Sequence, residues 1–223
     1  SAFFPKQWRG VVMISLYFAG ILCGILYALV LKKTKYRGEP VPFVMELPNY
    51  RLPSFKSVMM LLWDKAKDFI QRAFTVIFFA TIIIWFLETF DAKLNVVKDS
   101  SDSLLALIGQ AISPIFKPLG FADWRVTTSL ISGFTAKEAV VSTMAVLMNT
   151  STANLGTALS GAFSTLSALS FLVFTLLYTP CVAAVATIKR ELDSRIQTVG
   201  VVIMQCMVAW LCGCAVYQIG ALL

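Results

Sequence analysis

Four consecutive residues, Tyr178-Thr-Pro-Cys181, have the composition of a cation site within an apolar run. Pro180 has no N–H, and its ring clashes with the carbonyl four residues back, so the carbonyl of Leu176 loses its helical partner. A free carbonyl is costly in hydrocarbon, and beside it stand the Cys181 thiol, a potential thiolate ligand, and the Thr179 hydroxyl. Interrupted helices often bind cations in transporters through such oxygens. A proline kink with a packing cysteine explains the same residues equally well.

Two opposite charges, Lys137 and Glu138, lie near the middle of a second apolar run, Val126–Met148. Charges at that depth are costly, face the protein interior and tend to mark function. Adjacent residues point about 100° apart on a helix, so at least one charge should find its partner on another helix. Glu138 can attract or bind a cation, and Lys137 can balance it in the empty state. A structural pair between helices is the alternative.

Two weaker candidates lie elsewhere in the chain. Cys206 and Cys214 fall within about 80° of each other on a helix, so they can face one ion, whereas Cys212 points away from both. Glu46 belongs to a proline-rich connector and can take part in gating. A packing role for the cysteines and a solvated linker around Glu46 are the plainer explanations.

The composition restricts the class of protein. The chain has 223 residues, of which 58% are hydrophobic and 14% charged, against about 25% charged in a soluble domain. It has no histidine, which excludes Ser-His-Asp and Cys-His catalysis within the chain. The net charge of +7 is concentrated at the ends of apolar runs, as expected of cytoplasmic loops rather than a nucleic-acid surface. There is no phosphate-binding Gly-x-x-x-x-Gly-Lys-Ser/Thr loop.

The elements that must position these residues are helices. We predict an all-α, polytopic transmembrane helical bundle with an interfacial amphipathic helix and a helix broken at Pro180. Residues 1–53 hold a first span and the cytoplasmic proline-rich connector, and residues 54–223 a gate-type membrane domain that begins with the surface helix. Because no Pro or Gly separates the surface helix from the span at 73–87, one long bent helix is the alternative. The predicted spans are Gly10–Leu31, 73–87, Val126–Met148, Leu166–Ile188 and Val199–Leu223.

The short apolar run Leu104–Phe116 is ambiguous, since it is long enough for a short crossing or for a re-entrant segment. The basic residues place Lys32–Arg72 and Lys189–Arg195 on the cytoplasmic side. Both placements agree if the short run crosses the membrane, whereas a re-entrant run would make one of them wrong. Charge counting therefore favours a crossing.

Three stretches, in this order, resemble the FeoB family of ferrous-iron transport proteins. They are Phe43-Val-Met-Glu-Leu-Pro-Asn-Tyr-Arg-Leu-Pro-Ser54, Gly133-Phe-Thr-Ala-Lys-Glu-Ala-Val-Val-Ser-Thr143, and Leu176-Leu-Tyr-Thr-Pro-Cys-Val-Ala-Ala-Val185 continuing to Glu191. The resemblance runs from about Ala2 to the end of the chain. It implies Fe²⁺ as the transported ion and Cys181 as the cysteine of a Pro/Cys motif that lines its path. With the carbonyl that Pro180 frees, our hypothesis is that Cys181 and the Leu176 carbonyl are ligands of this ion. It also implies the cytoplasmic membrane of a bacterium as the location.

The resemblance implies further parts that this sequence lacks. Members of the family combine a GTP-binding domain with two gate repeats, and only the later repeat matches here, so we expect the chain to be a fragment. GTP would act only through the missing domain. The expected partners are membrane lipid, that domain and the first gate repeat. Small cytoplasmic Feo accessory proteins and a second copy of the chain stay open as partners, and no nucleic acid is expected.

Three other functions fit parts of the sequence. A nucleoside or other solute permease with a related gate fold would need a larger site lined by polar and aromatic groups. A non-transporting membrane scaffold would tolerate replacement of Lys137, Glu138 and Cys181 together. An intramembrane enzyme is the weakest alternative, because Cys181 has no histidine to activate it.

Overall fold

The computed structural model describes residues 5, 7–34, 53–97, 99–178 and 181–222. Within these ranges the secondary structure is helical, apart from one isolated bridge between Phe90 and Val96. The predicted all-α class is confirmed. The helices are α1 Arg9–Thr34, α2 Phe55–Thr89, α3 Leu104–Ile112, α4 Trp124–Ser132, α5 Ala139–Leu147, α6 Leu155–Ala162, α7 Thr165–Leu177, α8 Val182–Leu192 and α9 Arg195–Leu222, with 3₁₀ turns at Ser100–Asp102 and Ser113–Leu119.

Three of these helices, α1, α2 and α9, are long and apolar enough to cross a bilayer. Two bent helix pairs, Leu104–Leu119 with α4 and α7 with α8, raise the number to five if each counts as one span. The multi-pass membrane character is therefore confirmed for the part of the chain that the structure describes.

The predicted surface helix and the span that follows it form one helix, α2, of 35 residues. Its N-terminus is capped as the sequence indicates, because Ser54 Oγ accepts the N–H of Ser57 at 3.3 Å. The amphipathic part is thus the first half of a long helix rather than a separate element. Of the two arrangements that the sequence left open, the structure has the continuous one.

The segment from α3 to α4 returns to the place where it starts. The N–H of Leu104 donates to the Phe90 carbonyl at 2.9 Å, and Ser132 Oγ donates to Glu88 Oε1 at 2.9 Å. Both contacts are at the C-terminal end of α2, and the segment bends by 106° between Leu119 and Trp124. Because α4 has only nine residues, this return favours a re-entrant segment over the crossing that charge counting favours.

The predicted span Val126–Met148 is also interrupted. Residues 133–138 form a loop between α4 and α5, which pack against each other as a hairpin. Thr128 of α4 and Val146 of α5 line one pocket of about 170 Å³ with Glu88, so α5 returns to the same end of α2. Because neither segment crosses, both basic regions stay on one side. Charge counting detects only whether the number of crossings is even or odd, so it is satisfied equally well by no crossing in this region and by two.

The packed core lies between α7, α9 and the 3₁₀ turn after α3. Helices α7 and α9 are antiparallel, since Leu166 lies against Gly220 while Ser170 Oγ donates to the Gly213 carbonyl at 2.8 Å. The indole of Trp210 donates to the Ile115 carbonyl at 3.0 Å. Aromatic rings fill the space between these elements; they are Phe116, Phe121, Phe171, Phe174 and Tyr178.

At the C-terminal end of α2 the chain makes a tight turn held by Asp91. Its carboxylate accepts the N–H groups of Asn95 at 2.9 Å and Lys93 at 2.7 Å. These hydrogen bonds, with that from Asn95 the largest cause, lower the pKa of Asp91 below its ordinary value. The turn directs the chain from α2 towards the re-entrant segment.

Candidate functional site

The helix predicted to break at Pro180 does so. Helix α7 ends at Leu177, α8 begins at Val182, and the two axes differ by 40°. Thr179 and Pro180 themselves lie outside the described residues, as does Glu46. Tyr178 N–H still bonds to the Phe174 carbonyl at 2.8 Å, so the acceptors left at the end of α7 start with Thr175.

This break meets the α4–α5 loop. The first N–H of α8, from Val182, donates to the Phe134 carbonyl at 2.9 Å. At Gly133 a Cβ atom would lie 2.8 Å from Tyr178 Oη and would collide with Val140. Gly133 is therefore required by the close approach of the two interrupted helices. Each interruption supplies backbone partners to the other.

Lys137 extends from this loop to the C-terminal end of α7. Its Nζ donates to the Thr175 carbonyl at 3.2 Å and to the Leu176 carbonyl at 3.4 Å. It also lies 5.0 Å from the centre of the Tyr178 ring, a cation–π distance. The carbonyl that the sequence predicted to be free is thus occupied by a cation that belongs to the protein. A helix C-terminus favours such a charge.

The two mid-helix charges do not neutralise each other. Lys137 reaches α7, and within the described residues no carboxylate is paired with it. Glu138 is exposed, and no described residue makes an ion pair or hydrogen bond with its carboxylate. The expectation that at least one of these charges would find its partner on another helix is met by Lys137.

The structure separates the candidate cysteines. Cys181 and Cys206 both lie close enough to Tyr178 to interact electrostatically with its hydroxyl, and Cys181 also interacts with Lys137. Cys214 packs against the apolar core instead. Cys212 lies near Cys23 of α1 instead. Cys206 therefore joins Cys181 near the break, while Cys214 is eight residues further along α9.

Sequence reasoning missed several members of this region. The Thr175 carbonyl and the Tyr178 ring hold Lys137, and Gln205 contributes to a cavity beside it. Gln205 is an isolated amide in a strongly apolar span, which was a usable signal. The Glu88–Ser132 hydrogen bond joins residues 44 apart and has no signature in the local sequence.

The arrangement is not a closed metal cage. Among the described residues, no three His, Cys, Asp or Glu side chains are close enough to hold one ion. Two backbone carbonyls and an ammonium meet between two broken helices instead, and Cys181 lies at the N-terminal end of α8 beside them. Such a set can bind a cation briefly when the ammonium moves away, because carbonyl oxygen and thiolate are both cation ligands.

Two family models match the chain. One, described as Gate: Nucleoside recognition, covers residues 70–195, and the other, described as Ferrous iron transport protein B C terminus, covers residues 13–65. The first model covers the α4–α5 loop and the α7–α8 break. It includes every described candidate site residue except the cysteines on α9. No solved structure gives a significant match.

Curated relatives match over most of the chain. It is 36% identical over 219 residues to the Fe(2+) transporter FeoB of Staphylococcus aureus (strain MSSA476), covering 98% of this chain and 33% of the relative. It is 33% identical over 269 residues to a Fe(2+) transport protein A/Fe(2+) transporter FeoB fusion protein of Porphyromonas gingivalis, covering 99% and 32%. It is 33% identical over 194 residues to the Fe(2+) transporter FeoB of Methanocaldococcus jannaschii, covering 84% of this chain and 29% of the relative.

The chain thus spans about a third of the length of these relatives. The gate-family model alone matches more than half of its residues, and the C-terminal model precedes it in sequence without overlap. Taken with the interrupted helices and their thiol, these matches establish that the chain belongs to the family of ferrous iron transport protein B and carries a gate domain and C-terminal region of that family.

Proposed function

We propose that this chain forms part of the route by which Fe²⁺ is imported across a bacterial cytoplasmic membrane. In this proposal a GTP-binding domain elsewhere in the protein supplies the energy. The observation that carries the proposal is the position of Lys137, whose ammonium is held by two carbonyls at the broken end of α7. A site that holds one cation at the broken end of a helix can hold another when that cation leaves.

Fe²⁺ would bind the Leu176 carbonyl and the Cys181 thiolate, with Cys206 as a further ligand. A thiolate favours iron over magnesium or calcium, which prefer oxygen ligands only. Lys137 would occupy the carbonyls in the empty state and be displaced by the ion. The exposed Glu138 would supply negative potential on the approach to the loop. We retain as proposed transport or gating residues Thr179, Pro180 and Glu46. Cys214 packs in the core and is therefore the least supported ligand.

The proposed orientation of the chain in the membrane rests on the charge distribution. Basic residues cluster at the C-terminal end of α1, along the first half of α2 and around the α8–α9 turn, which places these ends in the cytoplasm. There α2 contacts α8 through Arg190 and Asp68, 3.5 Å apart. Since Cys181 immediately precedes α8, a displacement of α2 by a soluble domain would reach the ion ligands through this contact.

The proposed partners follow from the relatives. One relative is named as a fusion of Fe(2+) transport protein A with the transporter. This name supports a small accessory protein as a partner of the present chain. We retain 1–53 and 54–223 as the proposed division of this chain, and the remainder of a longer protein as the source of the GTP-binding domain and the other gate repeat. A homo-oligomer stays open.

A matched pair of cysteine variants tests the iron route. In cells that express the complete protein, Cys181→Ser should strongly reduce ferrous-iron uptake, whereas Cys214→Ser should leave it unchanged because that thiol packs in the core. Membrane levels of both variants must equal wild type. Normal uptake by Cys181→Ser would remove this cysteine from the mechanism. If nucleosides, and not Fe²⁺, compete with the transported solute for uptake, the result supports the solute permease instead.

A further inference from the structure

A cavity of about 430 Å³ lies beside the ammonium of Lys137, between α1, α7 and α9. Its wall is mainly apolar and includes Gly20 and Gly24 of α1. The polar groups that reach it include Lys137, Tyr178 and Gln205. Lys137 therefore lies at the edge of open space and is not enclosed by side chains on all sides.

Gln205 brings an unused acceptor to this space. Its Oε1 is buried and has no hydrogen-bond partner. A buried polar oxygen without a donor is unfavourable, more so within a span where water is scarce. Tyr178 Oη, on a residue that is 6% exposed, is likewise without a partner. Two residues of the cavity wall, Gln205 and Tyr178, therefore carry buried oxygens whose capacity to accept a hydrogen bond is unused.

Lys137 supplies a cation at the wall of the same cavity. Its side chain is long and flexible, and its ammonium carries three donors, two of which are used on the α7 carbonyls. If an ion takes those carbonyls, the ammonium must move, and it cannot stay in an apolar cavity without an acceptor. Gln205 lines the same cavity and offers one.

We infer that Gln205 is a positioning residue for transport, which accepts the Lys137 ammonium whenever a divalent cation occupies the α7 carbonyls. This inference rests on the proposed function, because it assumes that an ion displaces Lys137. The ammonium then remains hydrogen-bonded in both states. Because the ammonium moves from the α7 carbonyls to Gln205 without losing its hydrogen bonding, loading the ion costs less free energy. The positive charge also stays close to the ion and promotes its release.

Equilibrium binding of Fe²⁺ under anaerobic conditions tests the inference in the complete purified protein. Gln205→Leu should weaken binding roughly tenfold, the effect of losing one hydrogen bond to a charged group, because the ammonium then stays on the carbonyls. In a Lys137→Met background the same substitution should change nothing. Gln218→Leu is the control, since that amide lies on the same helix and donates to the Pro118 carbonyl at 3.1 Å instead.

A second variant keeps the test decisive if leucine disturbs folding. Gln205→Glu should tighten Fe²⁺ binding, since a carboxylate draws the ammonium off the carbonyls, and this gain should also vanish with Lys137→Met. Equal effects of the Gln205 substitutions with and without Lys137 would overturn the inference, as would no effect of either. Those outcomes leave the iron route intact, because that route fails only if Cys181→Ser transports normally.

Discussion

The two interrupted helices meet at one place but contribute opposite chemistry. At the α7–α8 break the chain exposes acceptors, the carbonyls of Thr175 and Leu176. At the α4–α5 loop it supplies the ammonium of Lys137, while the carbonyl of Phe134 is already bonded to α8. One interruption has acceptors without helical donors, and the other has a charge without a carboxylate partner among the described residues.

This difference explains why neither interruption forms a site by itself. A broken helix alone would satisfy its last carbonyls with water or with a neighbouring side chain. Here the satisfying group is a cation, so an incoming ion competes with it directly. Changes on the acceptor side should therefore weaken ion binding, and removal of the ammonium should strengthen it.

The largest effect is expected from Lys137→Met. Hydrogen bonds to charged groups contribute about 1.5–3 kcal/mol, so loss of the competing ammonium should tighten Fe²⁺ binding by roughly 10- to 100-fold. Uptake should nevertheless fall, because the ion is then released slowly. Equilibrium binding to the purified complete protein and initial uptake rates in cells measure the two effects.

Lys189→Met is the matched control for this prediction. Lys189 lies in the last turn of α8 and is exposed, so its loss should leave affinity unchanged at physiological salt. Affinity that stays equal or weakens in Lys137→Met would show that the ammonium does not compete with the ion.

Gly133→Ala tests the contact between the interruptions. The added methyl group would meet Val140 and Tyr178 Oη, and overpacking of this kind costs about 1–3 kcal/mol of stability. Gly200→Ala on α9 is the control, because nothing lies within 4 Å of a Cβ there, and alanine should stabilise that helix by up to about 1 kcal/mol. Unfolding of the purified variants in detergent compares them. Equal stabilities would mean that the two interruptions do not pack as described.

A smaller effect is expected from Cys206→Ser. Cys206 lies near Tyr178 together with Cys181, so its loss should reduce uptake severalfold and less than the loss of Cys181. The same change at Cys214, which packs in the core, serves as the reference. If both substitutions at 206 and 214 reduce uptake equally, α9 contributes through packing and not through a ligand.

The sequence predicts one interruption and not the other, and the reason is covalent. Pro180 lacks an N–H whatever surrounds it, so the end of α7 and the carbonyl of Leu176 are predictable. The stretch 126–148 has no proline. Its break depends on Gly133, which packs against Val140 of α5 and against Tyr178 from outside the stretch. The link from Lys137 to α7 is likewise tertiary and spans 38 residues.

Topology was only partly predictable for a related reason. Basic residues fix which ends of the chain lie on one side, and this part of the sequence reading agrees with the fold. They carry no information on an intervening segment that enters and returns. The hydrogen bonds of Leu104 and Ser132 to the end of α2 decide that point, and neither has a local sequence signature.

The smallest effect on stability is expected at the contact between Asp68 and Arg190, far from both interruptions. Their side chains are 51% and 60% exposed and 3.5 Å apart, and exposed ion pairs contribute about 0–1 kcal/mol. Asp68→Asn should therefore hardly change unfolding, yet it should slow uptake if α2 acts on Cys181 through α8. The double exchange Asp68→Arg with Arg190→Asp should restore the rate. If the single variant is as active as wild type, α8 is not driven through this pair, and the coupling must enter the gate domain at another contact.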